Sequence, residues 1–371
     1  MRVAVVGCGA MGAATGWRLA ARGVQVVCFD RHSPPHTLGS SHGESRIIRT
    51  AYFEGPWYVP LVQESFPLWR DLEHESAAQL LTMTGALMIG PSSAKAVAGA
   101  QAAAVAHGLD ARALDADDLR RQFPAHVIAD EDVAVFDVQA GIIRPEDAVA
   151  AMIDRIVALG GEVRRGVVVK DVSGRAEAVD VTTDETRESF DAVVIAAGPW
   201  MGDLFPLPLR VERQVMAWFE IAKRGDDWLT PERFPVFIRE TGGLDVYGLP
   251  TLDGTSLKIA IHHGGEMVDP ETIRREVRDG ELDPLRSFAT TYLRGVTTRV
   301  TRTAVCMYTN TPDEDFVIDL HPDDARVVVI SACSGHGFKF APVIGDIAAD
   351  LATEARTARD ISRFSAARFP R

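Results

Sequence analysis

The stretch MRVAVVGCGAMGAATGWRLAARGVQVVCFD, residues 1–30, leaves a chain few ways to fold. Val3 to Val6 is a short apolar run rich in β-branched residues, as a buried parallel strand requires. Gly7, Gly9 and Gly12 follow in the spacing G-x-G-x-x-G, a helix-forming run reaches Arg22, and Gly23 stops it. Val24 to Phe29 reads as a second strand, with Asp30 at its carboxyl end. Gly7 permits the tight turn, Gly9 lets a pyrophosphate reach the backbone, and Gly12 lets helix pack on strand. The helix N-terminus offers N–H groups and partial positive charge to phosphates, and Asp30 is placed to accept from a ribose hydroxyl. Strand, helix, strand and acid in this order predict a dinucleotide-binding unit. They do not separate NAD from FAD.

A length of 371 residues predicts two domains rather than one core. With 46% hydrophobic and 25% charged residues the composition is that of a soluble globular enzyme. The net charge of −13 without a dense Lys/Arg block argues against nucleic acid or an acidic membrane surface as partner. No apolar run approaches the roughly 20 residues of a transmembrane helix, and Met1 opens directly onto the first strand, leaving no room for a signal peptide. Cys8, Cys28, Cys306 and Cys333 are few, scattered and without a C-x-x-C pair, so neither a disulfide framework nor a metal site is expected. The expectation is a reduced, cytoplasmic protein.

Farther along, a Pro-broken loop from Arg31 to His36 leads into the polar stretch Gly39 to Arg49, which in a doubly wound sheet runs past the cofactor. Arg46 and Arg49 share one side if that segment is helical; the alternative is solvation or pairing with Glu44 or Glu54. Residues 57–80 read as an amphipathic helix with core aromatics, Leu81 to Ile89 as a strand, and Ala94 to His107 as a helix. Ala113 to Phe123 is a mixed polar stretch, Val133 to Phe136 a strand, and a helix opens at Arg144-Pro145 and stops at Gly160-Gly161. Val163 to Val172 and Asp180 to Thr183 look like paired strands, and Phe190 to Ala197 is a buried strand ending at Gly198, a place for close backbone approach to a ligand. Beyond Arg210, short strand-like runs separated by Gly and Pro predict an antiparallel sheet. A parallel-type strand returns at Val327 to Ile330, followed by a helix over Val343 to Leu351 and a polar tail from Thr353 to Arg371. The predicted fold is therefore α/β. A Rossmann-like nucleotide-binding domain spans residues 1–80, 143–210 and 312–371, and a mixed or antiparallel-sheet substrate domain is inserted as residues 81–142 and 211–311.

The segments PPHTLGSSHGESRIIR, VYGLP, LKIAIHH, AVCMYTNTPDEDFVIDLHP and SGHGFKF carry a resemblance that runs nearly end to end. The chain resembles the monomeric sarcosine oxidase and N-methyltryptophan oxidase family, flavoenzymes of the D-amino acid oxidase group. The resemblance implies FAD bound covalently through Cys306; taken alone that residue reads as a small buried hydrophobe, the reading kept for Cys8, Cys28 and Cys333. Attack by its thiolate requires positive charge nearby. By the same resemblance Arg49 and Lys339 hold the substrate carboxylate, Ile238 shapes the pocket, and Arg46 lies by the flavin ring, where a cation favours the anionic reduced form. Lys258 promotes reaction with O₂, while Tyr247, Tyr308 and His262 line the pocket, His262 to position the amine or tune its protonation. Without the resemblance Lys258 would be a solvated side chain and the His and Tyr residues core groups, as His36, His263 and His321 are still taken to be.

Expected cofactor contacts are Gly7, Gly9, Ala10, Met11, Gly12, Asp30, Arg31, Ser41, Ser45, Arg46, Val168, Ala197, Gly198, Trp200, Cys306, Met307, Gly335, His336, Gly337, Phe338 and Lys339. Ser41, Ser45 and Ile238 depart from the family pattern of His, Thr and Met, and branched Ile is stiffer than Met. Sarcosine is the first substrate expected, with O₂ as co-substrate and a monomeric enzyme. A bulkier N-methyl amino acid or a cyclic imino acid such as proline or pipecolate also fits this reading. The rivals are a related FAD oxidase of a D-amino acid, glycine or an Amadori compound, and a binding protein that has lost turnover. A plain NAD dehydrogenase is disfavoured, since nothing after residue 200 resembles its catalytic apparatus.

Overall fold

The structure, a computed structural model, describes residues 1–222 and 227–369. The predicted unit forms as β1 (Arg2–Val6), α1 (Ala10–Ala21) and β2 (Gln25–Asp30). It stands at the centre of a six-stranded sheet in the order Val317–His321, Asp324–Ser331, Ala192–Ile195, β1, β2, Glu162–Arg165. The strands pair in parallel apart from Val317–His321, which runs antiparallel to its neighbour at one edge. β1 is buried on both faces because alternate residues serve two cores. Val3 and Val5 pack with Trp17, Ile153 and Ile344 of the covering helices; Ala4 and Val6 pack with Phe29, Val179 and Phe190. The second layer is thus a three-stranded antiparallel meander of Val169–Gly174, Val179–Thr183 and Arg187–Phe190 rather than more helices.

An eight-stranded sheet carries the segments between and after these. Its order is Val296–Asn310, Arg210–Ile221, Ser256–Ile261, Leu244–Leu249, Val236–Thr241, Ala86–Pro91, Asp132–Asp137, Ala111–Leu114. It is mixed, since Val236–Thr241 runs parallel to Ala86–Pro91 while the other pairs are antiparallel. A small sheet of Arg46–Ile48, Gly141–Ile143 and Leu81–Met83 lies between the two large ones in chain order. Buried Asp137 extends the link: it accepts from the amides of Thr50 and Ala51 and so fixes the turn just after Arg49.

Several local expectations are corrected. Residues 46–48 form a strand, not a helix, so Arg46 and Arg49 do not share a face by helical spacing. Leu81 to Ile89 is two strands in two sheets, separated at Gly85 with φ +72. Val163 to Val172 is also divided: Glu162–Arg165 pairs with β2, the amides of Gly166 and Val167 bond the carbonyls of His32 and Asp30, and only Val169 onward pairs with Val179–Thr183. The polar stretch 113–123 contains a helix, Ala116–Gln122, whose N-cap Asp115 accepts from the Asp118 amide. The polar tail packs onto the rest of the molecule. Phe364 is 1% exposed and stacks on Tyr58, and Arg363 lies over Trp57 while pairing with Asp315. The last two residues of that tail lie outside the described residues.

Candidate active site

One cavity runs from the β1–α1 turn and β2 to the strands of the eight-stranded sheet, walled by both large sheets and by the 31–54 and 330–339 segments. At the turn, a Cβ on Gly7 would sit 2.4 Å from the Ala196 carbonyl oxygen, and one on Gly12 would sit 1.7 Å from the Gly7 oxygen. Only glycine permits this approach of strand, turn and helix. Gly9 is the N-cap of α1 and has no side chain to occupy the first-turn amides; the Ala10 amide donates to Ser41 Oγ at 3.2 Å. Asp30 is buried, accepts from the Cys8 amide at 2.7 Å and the His32 amide at 2.8 Å, and has lone pairs left for a ligand. Burial raises its pKa, but the His36 ring and the two amides outweigh that and hold the carboxyl below its ordinary value. Two buried groups on the lining, Ser40 Oγ and Trp200 Nε1, have no protein partner among the described residues. A glycine cradle, an acid at the strand end and spare polar atoms together fit the ADP half of FAD.

Cross-strand register sets the other end. Cys306 pairs with Gln214, and Ile238 with Tyr247, so these side chains are carried to the cavity by the second sheet. Cys306 is 2% exposed, and its Sγ lies 3.5 Å from the Arg46 guanidinium, the cation that thiolate chemistry requires. Arg46 is anchored on the carbonyls of Ser40 and Ser45. Burial works against its charge, but Cys306, Tyr247 and Tyr308 more than offset this, and its pKa is raised. Arg49 is 2% exposed, donates to the Ala51 carbonyl and pairs with Glu54. Burial would push the Glu54 carboxyl up; Arg49 pulls it down to about 2. Lys339 is buried too, and desolvation followed by Arg49 lowers its pKa to about 7. His262 Nδ1 lies 3.3 Å from the Tyr308 hydroxyl, and burial followed by the adjacent His263 holds the imidazole neutral. Burial raises the phenols of Tyr247 and Tyr308, so both remain donors. Two cations, neutral hydrogen-bonding rings and the apolar Ile238 and Phe53 make a pocket suited to a small molecule with one carboxylate.

The cavity lining brings together Gly7, Gly9, Ala10, Met11, Asp30, Arg31, Ser41, Arg46, Arg49, Val168, Ala197, Gly198, Trp200, Ile238, Tyr247, His262, Cys306, Met307, Tyr308 and Gly335 to Lys339. Of the expected site residues, Gly12, Ser45 and Lys258 are not on the lining. Gly12 packs helix on turn, and Lys258 Nζ donates to the carbonyls of Gly43 at 2.7 Å and Ser45 at 2.8 Å. Burial, then Arg46, depresses the Lys258 pKa well below that of an ordinary lysine. Cys333 and His36, read from sequence as core residues, are on the lining as well. His263 is instead a satisfied ring on buried Glu212, and His321 packs edge-on to Phe205. From the sequence Glu54 reads only as an ion-pair partner, and Phe53, in an irregular segment, and Gln214, one polar residue within an interior strand, carry no pattern that marks them as lining residues.

The model of the FAD dependent oxidoreductase family matches residues 2–351. The chain is 38% identical over 375 positions to the monomeric sarcosine oxidase of Streptomyces avermitilis, covering 99% of this chain and 97% of that protein. It is 35% identical over 371 positions to the N-methyl-L-tryptophan oxidase of Yersinia pestis, covering 98% of each. Among solved structures, NikD, described as an unusual amino acid oxidase essential for nikkomycin biosynthesis, superposes with a TM-score of 0.87 at 27% identity, covering 98% of this chain and 96% of that one. The glycine oxidase of Geobacillus kaustophilus shares the fold, with a TM-score of 0.84 at 19% identity over all of both chains.

Proposed function

The chain belongs to the FAD dependent oxidoreductase family, and on that premise we propose that it oxidises N-methyl amino acids, sarcosine first, with O₂ and water to give the amino acid, formaldehyde and H₂O₂. The observation that carries this reading is the convergence of buried Arg49 and Lys339 at the apolar, ring-lined end of a cavity whose other end is the glycine cradle. The nucleotide half would be held by residues 1–80, 143–210 and 312–371 and the substrate by 81–142 and 211–311; the strand membership of the two large sheets supports that division.

FAD, attached through Cys306 when bound, supplies the two-electron acceptor and the reaction with O₂. The chain's own residues do the rest. Arg49 grips the carboxylate with its planar fork, and Lys339 adds a point charge where water is excluded. Neutral His262, with Tyr308 beside it, orients the secondary amine and favours its unprotonated, reactive form. Ile238 and Phe53 limit the space left for the remaining substituents. Arg46 holds positive charge at the Cys306 side of the cavity, and Lys258, reaching the same loop from behind, supports the oxidative half of the cycle. The enzyme would act as a monomer in the cytoplasm.

An anaerobic screen of flavin reduction across sarcosine, N-methyltryptophan, proline, pipecolate, glycine and D-alanine tests the reading. Fast bleaching by an N-methyl amino acid is expected. Bleaching by cyclic or primary amines alone would reassign the substrate class, and bleaching by none would retire the enzyme reading. Acid precipitation of the purified protein should leave the yellow colour in the pellet, and Cys306→Ser should release it to the supernatant.

A further inference from the structure

Tyr52 has no role in the chemistry assigned so far. Its side chain is 1% exposed, and its hydroxyl lies 2.6 Å from His336 Nδ1, 3.3 Å from the His336 carbonyl oxygen and 3.3 Å from Lys339 Nζ. On the far side of the imidazole, Nε2 lies 3.2 Å from the backbone carbonyl of Glu314. A carbonyl only accepts, so that contact is a hydrogen bond only if Nε2 carries the ring proton. Burial drives the His336 pKa down to about 3, so the ring is neutral and Nδ1 is bare. Tyr52 therefore donates to Nδ1, and toward Lys339 its oxygen can act only as an acceptor. Lys339 Nζ also donates to the His336 carbonyl at 2.6 Å. Two of its three donor positions are thus taken by oxygens of the chain, and the third is left to the cavity that Lys339 lines.

We infer that Tyr52 and His336 form a positioning pair that keeps Lys339 a cationic donor toward the cavity, with the direction of the hydrogen-bond chain set at the Glu314 carbonyl. The inference rests on the reading of Lys339 as a carboxylate anchor and names what makes it one. The charged groups facing Lys339 do not do this unaided. Arg49 and Arg46 oppose its charge, Glu54 favours it but is already paired with Arg49, and burial opposes it most. The Tyr52 oxygen and the His336 carbonyl are the oriented acceptors that offset this cost.

Titration of the holoenzyme with acetate, followed through the flavin absorbance spectrum between about pH 5 and pH 9, tests the pair. The charged form of Lys339 is populated below its pKa, so acetate affinity should hold at low pH and fall as pH rises past about 7. Tyr52→Phe removes an acceptor from the ammonium and should move that break to lower pH by about one unit. It should also raise KM for the amino acid at pH 8 roughly tenfold, with a smaller change in kcat. His336→Gln keeps a side-chain acceptor for the Tyr52 hydroxyl and should hold the break nearer its original position than His336→Leu, which leaves the hydroxyl only the backbone carbonyl at 3.3 Å and should move the break in the same direction as Tyr52→Phe. A break that stays in place in both Tyr52→Phe and His336→Leu overturns the inference. Acetate binding needs no turnover. A protein that oxidises no N-methyl amino acid yet shows the shifted break would lose the substrate reading and keep this one; normal turnover with an unmoved break would do the opposite.

Discussion

Arg49 shows how much one side chain owes to its surroundings. A lone arginine in a polar stretch is ordinarily solvated, but this one is 2% exposed, its turn pinned by Asp137 and its guanidinium shared between the Ala51 carbonyl and Glu54. A planar fork held this way suits a carboxylate, and lysine cannot copy it. Arg49→Lys should raise KM for the amino acid by about 10- to 100-fold, the effect of a charged hydrogen bond worth ~1.5–3 kcal/mol, with steady-state kinetics as the check. The pair also has a pH signature. The Glu54 carboxyl is held at about 2 against an ordinary 4.5, so the stability it contributes is complete above 4.5 and is lost as pH falls toward 2. Wild type should therefore lose more stability than Glu54→Gln when urea midpoints are compared at about pH 5 and about pH 3.

At the scale of elements, the β1–α1 turn and the carboxyl-terminal tail make opposite cases. The turn has no slack: a methyl at Gly12 would meet the Gly7 carbonyl at 1.7 Å, and backbone cannot swing aside as a side chain can. Gly12→Ala should yield protein without flavin, read from the ratio of visible to ultraviolet absorbance, and a lowered melting temperature. The tail has the composition of a dispensable segment but carries Phe364 into the core beside Tyr58 and Phe316, the neighbours of Tyr52 and His336. Phe364→Ala should cost roughly 3–5 kcal/mol by urea denaturation, the range for emptying a buried aromatic site.

At the scale of the whole molecule, the cavity is walled by both large sheets, so an occupant contacts both and stabilises the folded chain by mass action. A Cys306→Ser protein stripped of FAD should melt below wild type and regain stability as FAD is added back; a melting temperature indifferent to FAD would place the cofactor elsewhere. Local rules made the nucleotide end legible in the sequence. G-x-G-x-x-G, the apolar strand before it and Asp30 after the second strand act within thirty residues, where glycine sterics and strand periodicity decide the outcome. The reacting end follows no such rule, and the roles of its residues are legible only through family resemblance. The segment holding Arg46 is a strand because Gly141–Ile143 pairs with it, and Leu81 to Ile89 divides because two different sheets claim its halves. Cys333 faces the cavity and His263 turns to Glu212 for reasons that lie in other strands. The sequence by itself determined the kind of cofactor cradle and the alternation of buried strands, because those depend on neighbours along the chain. Only the tertiary structure decided which cations are desolvated, which groups flank each nitrogen of the His336 ring and which residues share the cavity, because burial and hydrogen-bond partners depend on groups remote in sequence.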